Sequence, residues 1–178
     1  MPDGLFDVRI VTPEAALVET RARAVVLRSS DGELTVLDGH TPLITDVVPG
    51  KVRVEPEEGE EQALAVHGGY LQVETGPEVD AGGEAAGAEG PAAGERRTRV
   101  TLLAGVAERA EDIDVPRAEA AQEGARSRVE ELKSQSGRAE GSRSGEEEGP
   151  TVADLELDEA EAALRRAEVR LEVAGSGG

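Results

Sequence analysis

The chain has no cysteine, which excludes disulfides, thiolate nucleophiles and cysteine metal sites and fits a reducing compartment. It has no tryptophan, and Phe6 and Tyr70 are its only aromatic residues, so valine, leucine and isoleucine must fill any core. Positive charge is scarce as well: 19 lysines and arginines stand against 38 acids, a formal charge of −19. A nucleic-acid binder needs a basic footprint to release counterions, and none is visible. The same charge opposes adsorption to an anionic membrane. No apolar run approaches the ~20 residues that cross a bilayer, so direct membrane insertion is not expected. The opening MPDGLFDVRI lacks the basic start and long apolar stretch of a secretory signal. A role at a membrane would need another subunit to hold the chain there. The acid excess either solvates the protein or meets a cationic partner.

What is present is a series of short apolar runs. Phe6, Val8 and Ile10 alternate with Asp7 and Arg9, the period of a half-buried strand. Further runs follow at 22–30, 33–37, 42–48, 51–55, 62–67, 70–75 and 98–104, separated by Asp31-Gly32, Asp38-Gly39, Pro49-Gly50, Glu58-Gly59 and Gly68-Gly69. Many short strands at such spacing predict a sandwich or barrel. Residues 76–97 hold one bulky apolar side chain, Val79, and read as an acidic low-complexity insertion that stays disordered between two strands.

From Ala107 the period changes. Ala118, Ala121, Ala125, Val129 and Leu132 recur at steps of three and four, predicting a helix with a narrow face, capped by Asp114 with Pro116 in its first turn. Residues 134–150 read as a flexible connector. A second helix follows, with Thr151 and Asp154 at capping-box spacing and a seam of Leu157, Ala160, Leu164, Ala167, Leu171 and Ala174. The expected organisation is an all-β sandwich over 1–106 and an antiparallel helical hairpin over 107–178. Alanine-rich faces bury little area, so the hairpin should be marginal and able to open.

Two groups of residues are candidates for chemistry. His40 and His67 with Asp38 or Asp46 are the raw material of a metal site or general base. No HExxH, serine elbow or Walker-type loop accompanies them, so no catalytic and no metal-binding residue is expected. His40, between Gly39 and Pro42, reads as a turn residue whose ring bonds to backbone. The second group lies on the second helix. Arg165 has Glu161 and Glu168 at helical spacing, but Arg166 and Arg170 have only each other and Ala162, Ala163, Ala167, Val169, Val173 and Ala174. Like charges four apart repel by about 0.2–0.5 kcal/mol, a cost a surface tolerates. The alternative is an anion from outside the helix, either a phosphate or a partner's carboxylates.

Several stretches resemble, in order and at the expected spacing, the epsilon subunit of the F-type ATP synthase. They are DVRIVTPE (7–14), SSDGELTVLDGHTPLITDVVPGKVRV (29–54), AVHGGYLQVE (65–74), ERAEDIDVPRAEAA (108–121) and ALRRAEVRLEVA (163–174). The resemblance implies a sandwich of about ten strands followed by a helix hairpin. It implies a non-catalytic central-stalk subunit, peripheral on the cytoplasmic face of the bacterial cell membrane, that couples the gamma subunit to the c ring. Glu33, His40, Thr41, Pro42 and Leu43 would face the c ring and the foot of gamma. The hairpin would extend along gamma to the alpha/beta head and inhibit ATP hydrolysis. No cofactor is required, but some relatives bind regulatory ATP through an Ile/Leu-Asp-x-x-Arg-Ala motif. Ile113, Asp114, Arg117 and Ala118 match it, Arg166 and Arg170 match the arginines of the second helix, and Glu108 is a further contact by the same resemblance. Thr35 stands where the family usually has glycine, Asp38 where it has proline, and Gly124 where ATP-binding members often have arginine. The alternative function is a stand-alone acidic binding module with a docking hairpin; a hydrolase built on His40 is the third reading.

Overall fold

A computed structural model of the protein describes residues 4–77, 96–139 and 151–175. It forms two compact units, Met1–Arg109 and Ala110–Gly178. Among the described residues the first unit has nine strands: β1 (Phe6–Val11), β2 (Ala16–Ser29), β3 (Gly32–Leu37), β4 (Leu43–Val47), β5 (Gly50–Pro56), β6 (Gln62–Val66), β7 (Gly69–Pro77), β8 (Arg96–Ala104) and β9 (Ala107–Arg109). β1 lies between β8, to which it is parallel, and β2, to which it is antiparallel. The order continues β8-β7-β4-β2-β5-β6-β9, with β3 on β2. The long β2 pairs with β1 over its first half and with β3 and β5 over its second. Its register shifts between Ala22 and Ala24, the kind of irregularity with which a strand turns the corner of a sandwich.

Alternation decides what is inside. Phe6, Val8 and Ile10 of β1, Leu71 and Val73 of β7, and Val100 and Leu102 of β8 are buried in one core with Leu27, Val36, Val54 and Leu64. Aliphatic side chains do fill this core: Phe6 is inside, whereas Tyr70 is 64% exposed. One rung places opposite charges face to face, Glu74 with Arg99, Arg99 with Asp7, and Asp7 with Arg21. Such cross-strand pairs support the register.

Several expected boundaries move. β2 begins at Ala16, six residues before the apolar run at 22–30, because the hairpin with β1 carries it. Gly76 and Pro77 pair with Arg97 and Arg96, so the ends of the expected 76–97 loop are ladder; the rest of that insertion, 78–95, lies outside the described residues. Ala107–Arg109 is a strand on β6, so strand pairing runs three residues past 106.

The second unit opens with a 3-10 turn, Ala110–Asp112, followed by α1 (Val115–Ala139) and α2 (Val152–Ala174). Asp114 caps α1, its carboxylate accepting from Arg117 N–H at 3.0 Å. α1 runs on through Ser134–Ala139, where a connector was expected; Ser134 and Gln135 hydrogen-bond back to Glu131 and keep the turn helical. The remainder of that connector, 140–150, is outside the described residues. Thr151 and Asp154 form the full capping box on α2. Val129 and Leu132 pack with Ala160, Leu157 and Leu164. Ala121 is exposed rather than on the seam; Gln122 and Ala125 are half-buried between Ala118 and Val129, which keeps steps of four and three. Ion pairs join the helices from Arg128 to Glu156 at 3.1 Å and from Lys133 to Glu161 at 2.8 Å. No helix among the described residues is long and apolar enough to cross a membrane.

Candidate functional site

The segment between β3 and β4 is a short loop gripped by its main chain. Gly39, at φ +79, takes the left-handed conformation that glycine adopts without strain. Its N–H donates to Thr98 Oγ1 at 2.8 Å, and the His40 N–H closes a turn on Leu37 O at 3.1 Å. Thr75 Oγ1 donates to the His40 carbonyl at 3.1 Å. The side chains face outward: Thr41 and Pro42 are exposed, Asp38 and His40 half-buried, and Leu43 packs against the core as β4 begins.

His40 is the turn residue its neighbours predict. Its Nδ1 donates to Thr41 O at 2.8 Å. The groups that would make a catalytic or metal site are not brought together. His67, almost fully buried, has its Nε2 3.4 Å from Glu108 on β9. Asp46, at the far end of β4, accepts from Ser30 at 2.8 Å. Among the described residues no three acids or histidines cluster as metal ligands.

Glu33 and the His40 loop lie at opposite ends of β3, about 13 Å of strand apart between Glu33 and Leu37. They are joined by the exposed side of that strand, on which Glu33, Thr35 and Leu37 alternate with the inward Leu34 and Val36. Leu37 is 52% exposed and was not singled out from the sequence. Nor were Tyr70 and Leu103, exposed like Ile44 on the outer side of adjoining strands, with Tyr70 directly opposite Leu103. The signal was available: each is the odd partner in an alternation whose even members are core.

In the second unit Ile113 and Ala118 are buried, while Asp114 and Arg117 are exposed around the α1 cap. α2 contacts the preceding 3-10 turn. Arg166 and Arg170 lie one turn apart on α2, half-buried, on a strip with the buried Val169 and Val173. Arg166 has no hydrogen bond or ion pair among the described residues. Arg165, on the other side, lies in the field of Glu161. The helix-to-helix ion pairs use Arg128 and Lys133 and leave Arg166 out. Glu108 belongs to the first unit, on β9, with His67 Nε2 3.4 Å away.

Comparison with known proteins bears on both halves. Residues 5–77 match the family model described as ATP synthase, Delta/Epsilon chain, beta-sandwich domain. The chain is 37% identical over 129 residues to the ATP synthase epsilon chain of Desulforudis audaxviator (strain MP104C), covering 72% of this chain and 77% of that one. A chain in a cryo-EM structure of the Euglena gracilis mitochondrial ATP synthase (OSCP/F1/c-ring) is similar in fold. That match has a TM-score of 0.62 and 22% identity, and covers 98% of this chain and 82% of that chain.

Proposed function

The chain belongs to the ATP synthase epsilon chain family and is a non-catalytic, central-stalk component of that complex; from this premise we propose that it couples gamma to the c ring through the exposed strip from Glu33 to Leu43. The observation that carries the reading is the Asp38–Leu43 loop. Its main chain is fixed at two residues while Thr41 and Pro42 stay exposed, an arrangement that suits docking and gives His40 no partner for bond-making. Glu33, Thr35 and Leu37 extend the strip along β3. The protein is then peripheral on the cytoplasmic face of the cell membrane, held by its partners. Association with gamma tests this: the two subunits co-purify if the reading is right, and separate cleanly if it is wrong.

The hairpin carries the finer part of the reading. Arg166, half-buried and unneutralised among the described residues of an acidic chain, supports an external anion. ATP phosphates at Arg166 and Arg170, with Ile113, Asp114, Arg117 and Ala118 at the start of α1, would favour the folded hairpin. Carboxylates of the alpha/beta head at the same arginines would favour an extended, inhibitory one. Two anions competing for one pair of charges make a population switch. Isothermal titration with ATP checks the nucleotide arm. Heat of binding at millimolar ATP that disappears in Arg166→Ala is expected; no heat, or binding unchanged in the variant, rejects it.

A further inference from the structure

Thr75 and Thr98 face each other across one rung of the β7–β8 hairpin, and both hydroxyls reach the same loop. Thr98 lies on the inward row with Val100, Leu102 and Ala104 and is fully buried. Threonine is mostly an exposed residue, and a buried hydroxyl calls for a hydrogen-bond partner. Ser29 and Thr98 are the hydroxyl residues buried among those described; the other polar side chain that is almost fully buried, His67, lies beside Glu108. Ser29 closes its own turn by donating to Gly32 O at 3.2 Å. The Thr98 hydroxyl instead meets Gly39, distant in sequence, in a loop between two other strands. Valine would fill the same core position with the same shape, so packing alone does not account for the oxygen.

We propose that Thr75 and Thr98 are positioning residues for the Asp38–Leu43 docking loop. One hydroxyl accepts from the loop and the other donates to it, at consecutive residues. Among the described residues these are the hydrogen bonds that tie 38–42 to another strand; the remaining two, His40 N–H to Leu37 O and His40 Nδ1 to Thr41 O, are local. Because both grips fall on main chain, the exposed side chains of Thr41 and Pro42 are left for a partner. A loop ordered before docking loses less freedom on docking, which raises affinity without adding a contact. Gly39 makes the arrangement dependent on the clamp. Its left-handed backbone is one of many conformations open to glycine, and the Thr98 bond selects it.

The inference rests on the reading of this loop as a docking surface, and its test separates the two. Thr98→Val keeps shape and removes the acceptor; Thr98→Ser keeps the hydroxyl. In the free, full-length protein, amide hydrogen exchange at Gly39 should quicken about tenfold in Thr98→Val and return in Thr98→Ser. Affinity for an assembly of gamma with the c ring should fall and recover in the same order. Unchanged exchange at Gly39 overturns the clamp. Faster exchange with unchanged affinity, while Pro42→Glu abolishes docking, overturns the positioning role and leaves the docking surface standing. Docking indifferent to both Thr98→Val and Pro42→Glu overturns the docking reading, and the inference with it.

Discussion

At Gly69 a single added methyl group would meet a backbone. A Cβ there would lie 2.2 Å from Leu103 O on the adjacent strand, whereas at Gly76, seven residues along the same strand, it would meet open space. Gly69→Ala must push β7 away from β8 and should cost about 1–3 kcal/mol, the range for an overpacked interior. Gly76→Ala should be neutral or stabilising by about 0.5–1 kcal/mol, because alanine holds a strand better than glycine. Urea denaturation of the two variants checks the contrast; equal effects would mean that this rung is looser than it stands. At this scale the sequence was readable where chemistry is local. The turn role of His40 follows from Gly39 and Pro42, and the isolation of Arg166 follows from its helical neighbours. The Thr98 clamp was not readable, since nothing near position 98 announces a bond to position 39.

Among the elements, the hairpin is where charge matters. Lys133, by its hydrogen bond and then by its charge, holds the Glu161 carboxyl below its ordinary value. A depressed folded-state value favours the charged form in the folded protein. That contribution is present above the unfolded carboxylate value and is lost as pH falls through the lower folded one. Helicity of the hairpin should therefore have an acid-sensitive component below about pH 4, and Lys133→Gln should remove it. Circular dichroism across that range checks this, and an identical acid profile in the variant would contradict it. The long elements were the legible ones. β1 shows its alternation at Phe6, Val8 and Ile10, and α2 shows both cap and seam. The first half of β2 was missed because in ALVETR Val18 is the one fully buried residue, with Glu19 and Arg21 beside it, and it is a strand through pairing with β1. β9 is three residues with no pattern of their own, held by the edge of β6. The last turns of α1 run through serine, glutamine and glycine, residues that the composition assigns to a connector.

On the scale of the whole molecule, a −19 charge and an aliphatic core describe many proteins, and neither points to a role. The role is carried by the order of motifs along the chain and by a relative 37% identical over most of its length. The two units divide the work in this account. In the proposed reading the sandwich would offer the strip from Glu33 to Leu43 to its partners, and the hairpin would offer Arg166 and Arg170 to an anion that sets its state. Loss of one function should leave the other intact, because the groups involved share no residue.

The account depends most on the sandwich finding gamma. Mixed with purified gamma and passed over a sizing column, the full chain should elute with it as a one-to-one complex, and Pro42→Glu should weaken the addition of the c ring to that complex. Elution of the two subunits apart, at concentrations where each is folded, would contradict the central claim.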